Sequence, residues 1–151
     1  MTMNAMKCGV IAAALFGTTA LAFATGTHPV GFQGASFGDP AEALAKSAHS
    51  EIVLAEQHAG LAAESKGVAL VHTHLHHTLN CLVGPGGSGF DAQEINPCAN
   101  VGHGAIPDSV AAKQPSLEAA AAEARAGIDE PELAKAQRHA VKTEAMLKSA
   151  E

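Results

Sequence analysis

The chain of 151 residues has no tryptophan and no tyrosine, and only five phenylalanines. Beyond residue 24 these are Phe32, Phe37 and Phe90, too few and too scattered for a surface that stacks nucleobases. Basic residues are scarce as well: nine Lys and Arg stand against fifteen Asp and Glu, a formal charge of −6. Such a chain has no electrostatic reason to bind nucleic acid or anionic lipid, so no nucleic-acid partner is expected. The sequence carries no H-E-x-x-H, E-x-x-H, G-x-S-x-G or Cys-His nucleophile pattern, and enzymatic activity is not expected from it. Cysteine is limited to three residues, none in C-x-x-C or C-x-x-C-H. Thiol-redox chemistry and covalent haem attachment therefore lack their motifs.

Only one long apolar run is present, and it lies at the N-terminus. Lys7 precedes Val10–Phe16, which extends through Leu21 and ends in Ala22-Phe23-Ala24. A basic start, an apolar centre and a small-x-small end predict a signal peptide over residues 1–24, cleaved after Ala24 or, as an alternative, after Ala22. The run is too short and too rich in Gly and Thr to be a good membrane span. The expected location is the periplasm or the extracellular space, with no stable membrane insertion after processing. Cys8 lies ahead of the apolar centre, which does not suit a lipoprotein cysteine, and it leaves with the signal. Cys81 and Cys98 then remain as a pair, and an even count in an exported chain predicts a disulfide. Two free thiols or two metal ligands are the alternatives.

Residues 25–38 are Gly-rich without a helical period and read as a flexible leader to a single helical domain over 39–151. Asp39, Pro40 and Glu42 form a capping-box start. Ala41, Leu44, Ala48, Ile52, Ala55, Ala59 and Ala62 then recur at intervals of three and four, which predicts a helix over about 40–65 with Gly67 as a left-handed stop. Val68, Val71, Leu75, Leu79 and Leu82 predict a second helix over about 68–83, antiparallel to the first across a short turn. Residues 84–115 are rich in Gly and Pro and show no period; a Cys81–Cys98 bond would tie this loop to the end of the second helix. Two further helices are expected at 116–126, stopped by Gly127, and at 130–149, capped through Asp129 and Glu132. The fold class is all-α: a small up-down bundle of about four helices with a disulfide-stapled loop. Its stripes are mostly alanine, so the helices must approach closely around a thin core.

What the chain has in excess is histidine, nine residues in all, with His72-Thr-His74-Leu-His76-His77 as the densest run. At about 100° per residue, His72 and His76 fall beside the stripe of Leu75 and Leu79, in the i, i+4 relation of metal-binding helices. His74 and His77 fall on the opposite, outer face. On the first helix His58 and Glu51 share one edge. Across the hairpin this gives an expected site of His58, His72 and His76, with Glu51 as a fourth ligand or as the group orienting an imidazole. His74 and His77 are further candidate ligands, because four histidines in six residues have no packing rationale. His49, His103 and His139 read as boundary residues whose rings are satisfied by a carbonyl or water.

The segments "HSEIVLAEQHAGLAAE", "HTHLHH" and "AQRHAVKTEAML" resemble the small exported histidine-rich metal-binding proteins that form Ala-rich helical bundles. The resemblance implies binding of copper, nickel or zinc. It does not extend to "LNCLVGPGGSGFDAQEINPC" or to "GHGAIPD", which have no counterpart in those proteins. Three functional expectations follow. The first is a protein that buffers or delivers a divalent transition metal, its uptake weakening below about pH 6 as the imidazoles protonate. The second is non-covalent haem binding or electron transfer through axial histidines. The third is an exported interaction or stress protein with no ligand.

Overall fold

A computed structural model describes residues 39–151; the expected signal peptide and leader lie outside them. Every regular element among the described residues is helical: α1 (Pro40–Glu64), α2 (Val68–Val83), α3 (Ala105–Asp108), α4 (Gln114–Ile128) and α5 (Leu133–Lys148). None is long and apolar enough to cross a membrane.

The expected all-α bundle is what forms. The four long helices pack in the cyclic order α1, α2, α4, α5 and back to α1. α1 starts where its cap demands, with the Asp39 carboxylate accepting the Ala41 N–H at 3.0 Å and Pro40 in the first turn. The alanine stripes turn inward: Ala48, Ala55, Ala59 and Ala62 of α1, Ala120, Ala121 and Ala124 of α4, and Ala136 and Ala140 of α5 are all buried. Ile52, Leu75, Leu82, Leu117 and Leu147 supply the bulk between them.

Several boundaries differ from the sequence reading, each for a local reason. Gly67 is not a left-handed stop. Ser65 closes α1, and Gly67 is the extended N-cap of α2, at φ −140°. Gly127 does not end α4, which runs on to Ile128. A Cβ there would come within 2.9 Å of the His139 Cβ and closer still to Leu75, so this glycine lets α2 and α5 pack against α4. Pro115 lies inside the first turn of α4 rather than before it, where its missing N–H costs nothing. Asp129 caps the end of α4 instead of opening α5, which begins at Leu133 after Glu132. The supposedly aperiodic 84–115 segment contains the single turn α3.

The Cys81–Cys98 disulfide is formed. Beside it, the buried Asn80 amide holds the loop at two places. Its nitrogen donates to the carbonyls of Asp91 (2.9 Å) and Ile95 (3.2 Å), and its oxygen accepts the Asp91 N–H at 2.8 Å. The loop is thus drawn back over the outer face of α2.

Candidate metal centre

Thr78 settles which flank of α2 faces α1. Its hydroxyl donates to the Ala55 carbonyl at 3.1 Å, so α1 lies on the side of α2 that also carries His74. His58 consequently meets His74, with the two Nδ1 atoms 3.4 Å apart. His77 closes the group, its ring centroid 5.0 Å from that of His58 and 5.7 Å from that of His74. One nitrogen from each of the three rings lies within 4.8 Å of the other two, a separation that one metal ion can bridge. Among the described residues no other group of three His, Cys, Asp or Glu meets this condition.

This arrangement corrects the ligand set expected from helical geometry. His72 and His76 are on the other flank of α2. The His72 Nε2–H donates to the Glu130 carbonyl at 2.8 Å, in the turn between α4 and α5. His76 Nδ1 stands 3.4 Å from an Asp91 carboxylate oxygen. Glu51 lies seven residues before His58, about 10 Å along the helix axis. It is fully buried, and its Oε1 accepts the Gly104 N–H at 2.8 Å. The face of α2 read as outer is only partly open to solvent: His77, beside the disulfide loop, is 7% exposed, and His74 is half-buried. Among the histidines read as boundary residues, His49 is exposed, while His103 and His139 pair with Asp108 and Glu123.

The covering loop brings carboxylates. Glu94 places Oε2 3.6 Å from His77 Nε2, and neither nitrogen of His77 makes a hydrogen bond within the protein. A carboxylate at this distance is the kind of group that orients a ligating imidazole and raises its basicity. Asn80 and the disulfide fix its position, so the "LNCLVGPGGSGFDAQEINPC" segment completes the surroundings of the triad. On the solvent side, His74 opens onto a groove of about 560 Å³ bordered by Leu61, Lys66 and Leu70 near the α1–α2 turn.

Burial favours the neutral, ligating form of His58 and His77. Burial, reinforced by His77 and His74, pushes the His58 imidazole down from 6.5 to about 4. Burial likewise lowers His77, with Glu94 opposing. Both rings are therefore neutral near pH 7, as metal ligation requires. The unfolded chain takes up a proton on His58 below about pH 6.5, whereas the folded one does not until about pH 4. The stability this residue contributes is present above pH 6.5 and is lost as pH falls toward 4.

Glu51 behaves oppositely. Burial, helped by the nearby Asp108 carboxylate, raises it to about 7 against the pull of the Gly104 N–H and His103. The folded protein holds this proton where the unfolded chain has already released it. Stability from Glu51 is complete below about pH 4.5 and is lost as pH rises through 7. Glu51→Gln removes the ionisation while retaining an acceptor for Gly104. Its melting temperature relative to the unmodified protein should rise between pH 5 and pH 8 by about 10 °C, corresponding to about 2.5 kcal/mol. Thermal scans at the two pH values measure the change, and a constant offset would contradict the assignment.

Comparison with known protein families, with curated proteins and with solved structures finds no match for this chain. The likeness to exported histidine-rich metal-binding proteins accordingly rests on composition.

Proposed function

We propose that this is an exported protein that binds one divalent transition metal through His58, His74 and His77 and buffers or delivers it. The observation that carries the reading is the convergence of three imidazoles, two on α2 and one on α1, within 4.8 Å. Support comes from the neutral state that burial imposes on His58 and His77, and from the Glu94 carboxylate beside His77. Three protein ligands leave one position of a tetrahedral site for water or for a receiving protein's side chain, which suits transfer as well as storage. Imidazole donors fit Zn, Cu and Ni, and relative affinity among these favours Cu. The disulfide agrees with an oxidising compartment, as the N-terminal sequence suggests.

Haem is the weaker reading. Next to the triad, the Thr78 hydroxyl bonds the Ala55 carbonyl directly across α1 and α2. A porphyrin between His58 and His74 would have to break that contact and part the helices.

The test is titration of dialysed protein with Zn²⁺, Ni²⁺ and Cu²⁺ separately, read by elemental analysis and by melting temperature. One equivalent should be retained, and free metal at a hundredfold excess over Kd should raise the melting temperature by about 10 °C. No stoichiometric uptake of any of the three ions would end the proposal.

A further inference from the structure

At the other end of the disulfide loop lies a second constellation that the triad does not use. His103, on the "GHGAIPD" segment, donates Nδ1–H to Asp108 Oδ1 at 3.1 Å, and Asp108 Oδ2 accepts the His103 backbone N–H at 3.0 Å. Asp108 is buried while the imidazole is 80% exposed. One carboxylate therefore grips both the ring and the backbone of the same residue. In the neutral ring, with its proton on Nδ1 facing Asp108, the nitrogen Nε2 is left as an acceptor.

The chain makes unusual concessions to set this residue in place. Gly84 and Gly104 have φ of 66° and 122°, and a Cβ on either would overlap the backbone of the facing segment. A Cβ on Gly102 would overlap the Asp108 carboxylate and crowd Glu51. Side chains at these positions would part the two ends of the loop, so the glycines belong to the seat of His103.

His103 borders a cleft of about 700 Å³ between the loop, α3 and α4. This is within the range of small-molecule sites. Val83, Pro85, Ile106 and Pro107 give it an apolar wall, and Arg125 stands on the rim. The Arg125 Nη2 donates to the Ser88 carbonyl at 2.6 Å, which fixes the guanidinium and leaves its other donors uncommitted. Glu118 lies two turns earlier on α4 and also lines the cleft. The cleft thus offers an apolar surface, a planar cation with a carboxylate two turns from it, and an imidazole nitrogen that accepts when the ring is neutral.

We propose that this cleft binds a small hydroxycarboxylate with an apolar body. The body lies against Val83, Ile106 and Pro107, the carboxylate meets Arg125, and the hydroxyl donates to His103 Nε2. Guanidinium recognises a carboxylate through paired donors, and the acceptor on His103 selects for a ligand that carries a hydroxyl. The site shares no residue with the histidine triad, so its occupancy does not depend on the metal reading.

The experiment uses the whole chain with its disulfide intact and three probes: 4-hydroxybenzoate, benzoate and 4-hydroxybenzamide. Amide shifts in ¹H–¹⁵N spectra report both saturation and location. 4-Hydroxybenzoate should bind with a Kd of about 1 mM or tighter, moving the amides of residues 86–89 and 102–106. Benzoate should bind at least about threefold more weakly and the amide about tenfold more weakly. Arg125→Met should bring the acid and the amide within about twofold of each other, and His103→Phe should bring 4-hydroxybenzoate down to benzoate. Ile106→Trp keeps both polar groups and fills the cleft, so it should abolish binding while the amide spectrum outside residues 86–89 and 102–106 stays that of the folded protein. Failure of 4-hydroxybenzoate to saturate, equal binding of all three probes, or unchanged binding in Ile106→Trp would overturn the proposal.

Discussion

His58→Ala should weaken metal binding by more than about 100-fold, whereas His72→Ala should leave it within a few fold. Loss of a group that merely orients a ligand costs about 10- to 100-fold in metal systems, and loss of one ligand in three should cost more. His58 is the sensitive choice because it alone brings α1 into the triad; without it, His74 and His77 are two donors on one helix. His72 is the informative control. It belongs to the same dense run, yet its Nε2 is engaged by the Glu130 carbonyl on the opposite flank. Competition against a chromogenic chelator gives both affinities, and far-ultraviolet circular dichroism confirms that the variants fold. Equal losses in the two variants would point to binding by the histidine run as a whole rather than by the triad. Glu94→Gln should fall between them, since it reaches the metal only through His77.

Replacing both cysteines with serine should cost about 3 kcal/mol of stability through the released loop, and about 10 °C in melting temperature for a domain of this size. The bond joins residues 17 apart in sequence, and both sulfurs are buried against the core. The effect should extend to function. Glu94 lies inside the closed segment, so its position beside His77 depends on the bond and on Asn80. The serine variant should therefore bind metal more weakly even at temperatures where it is fully folded, by up to the same 10- to 100-fold. Denaturant melts measure the first effect and chelator competition the second. Unchanged metal affinity in a folded double-serine variant would show that the loop shields the triad without assisting it.

The helices were legible because alanine and leucine recur at a helical interval, and α2 occupies the span its stripe predicts. The ligand set was less so. A stripe identifies the side of α2 that faces the middle of the bundle, but the hairpin partner can lie on either flank of it. His72 and His76 border one flank; Thr78 and His74 border the other. The buried Thr78 hydroxyl was the available signal, because a hydroxyl within a helix that needs a partner can find it on the adjacent helix as well as in its own. The outer face could not be assigned from periodicity at all. Its cover comes from an aperiodic loop, whose path is set by one asparagine and one disulfide. Gly127 was misread because a glycine near a helix end serves equally well as a stop or as a gap for a neighbour, and only the proximity of Leu75 and His139 distinguishes the two.

The alanine faces of the bundle have a consequence for which changes the chain can accept. In a core of large side chains the damaging substitution is usually truncation, which leaves a cavity. Here Ala55, Ala59, Ala62, Ala124, Ala136 and Ala140 are already minimal and fully buried, and there is little left to remove. The damaging direction is growth, since each added methylene must be fitted between helices already packed on fully buried alanines. Because His58 and His74 hold their spacing only while α1 and α2 stay at that distance, drift in the interior would register first in the triad, before the fold itself gave way.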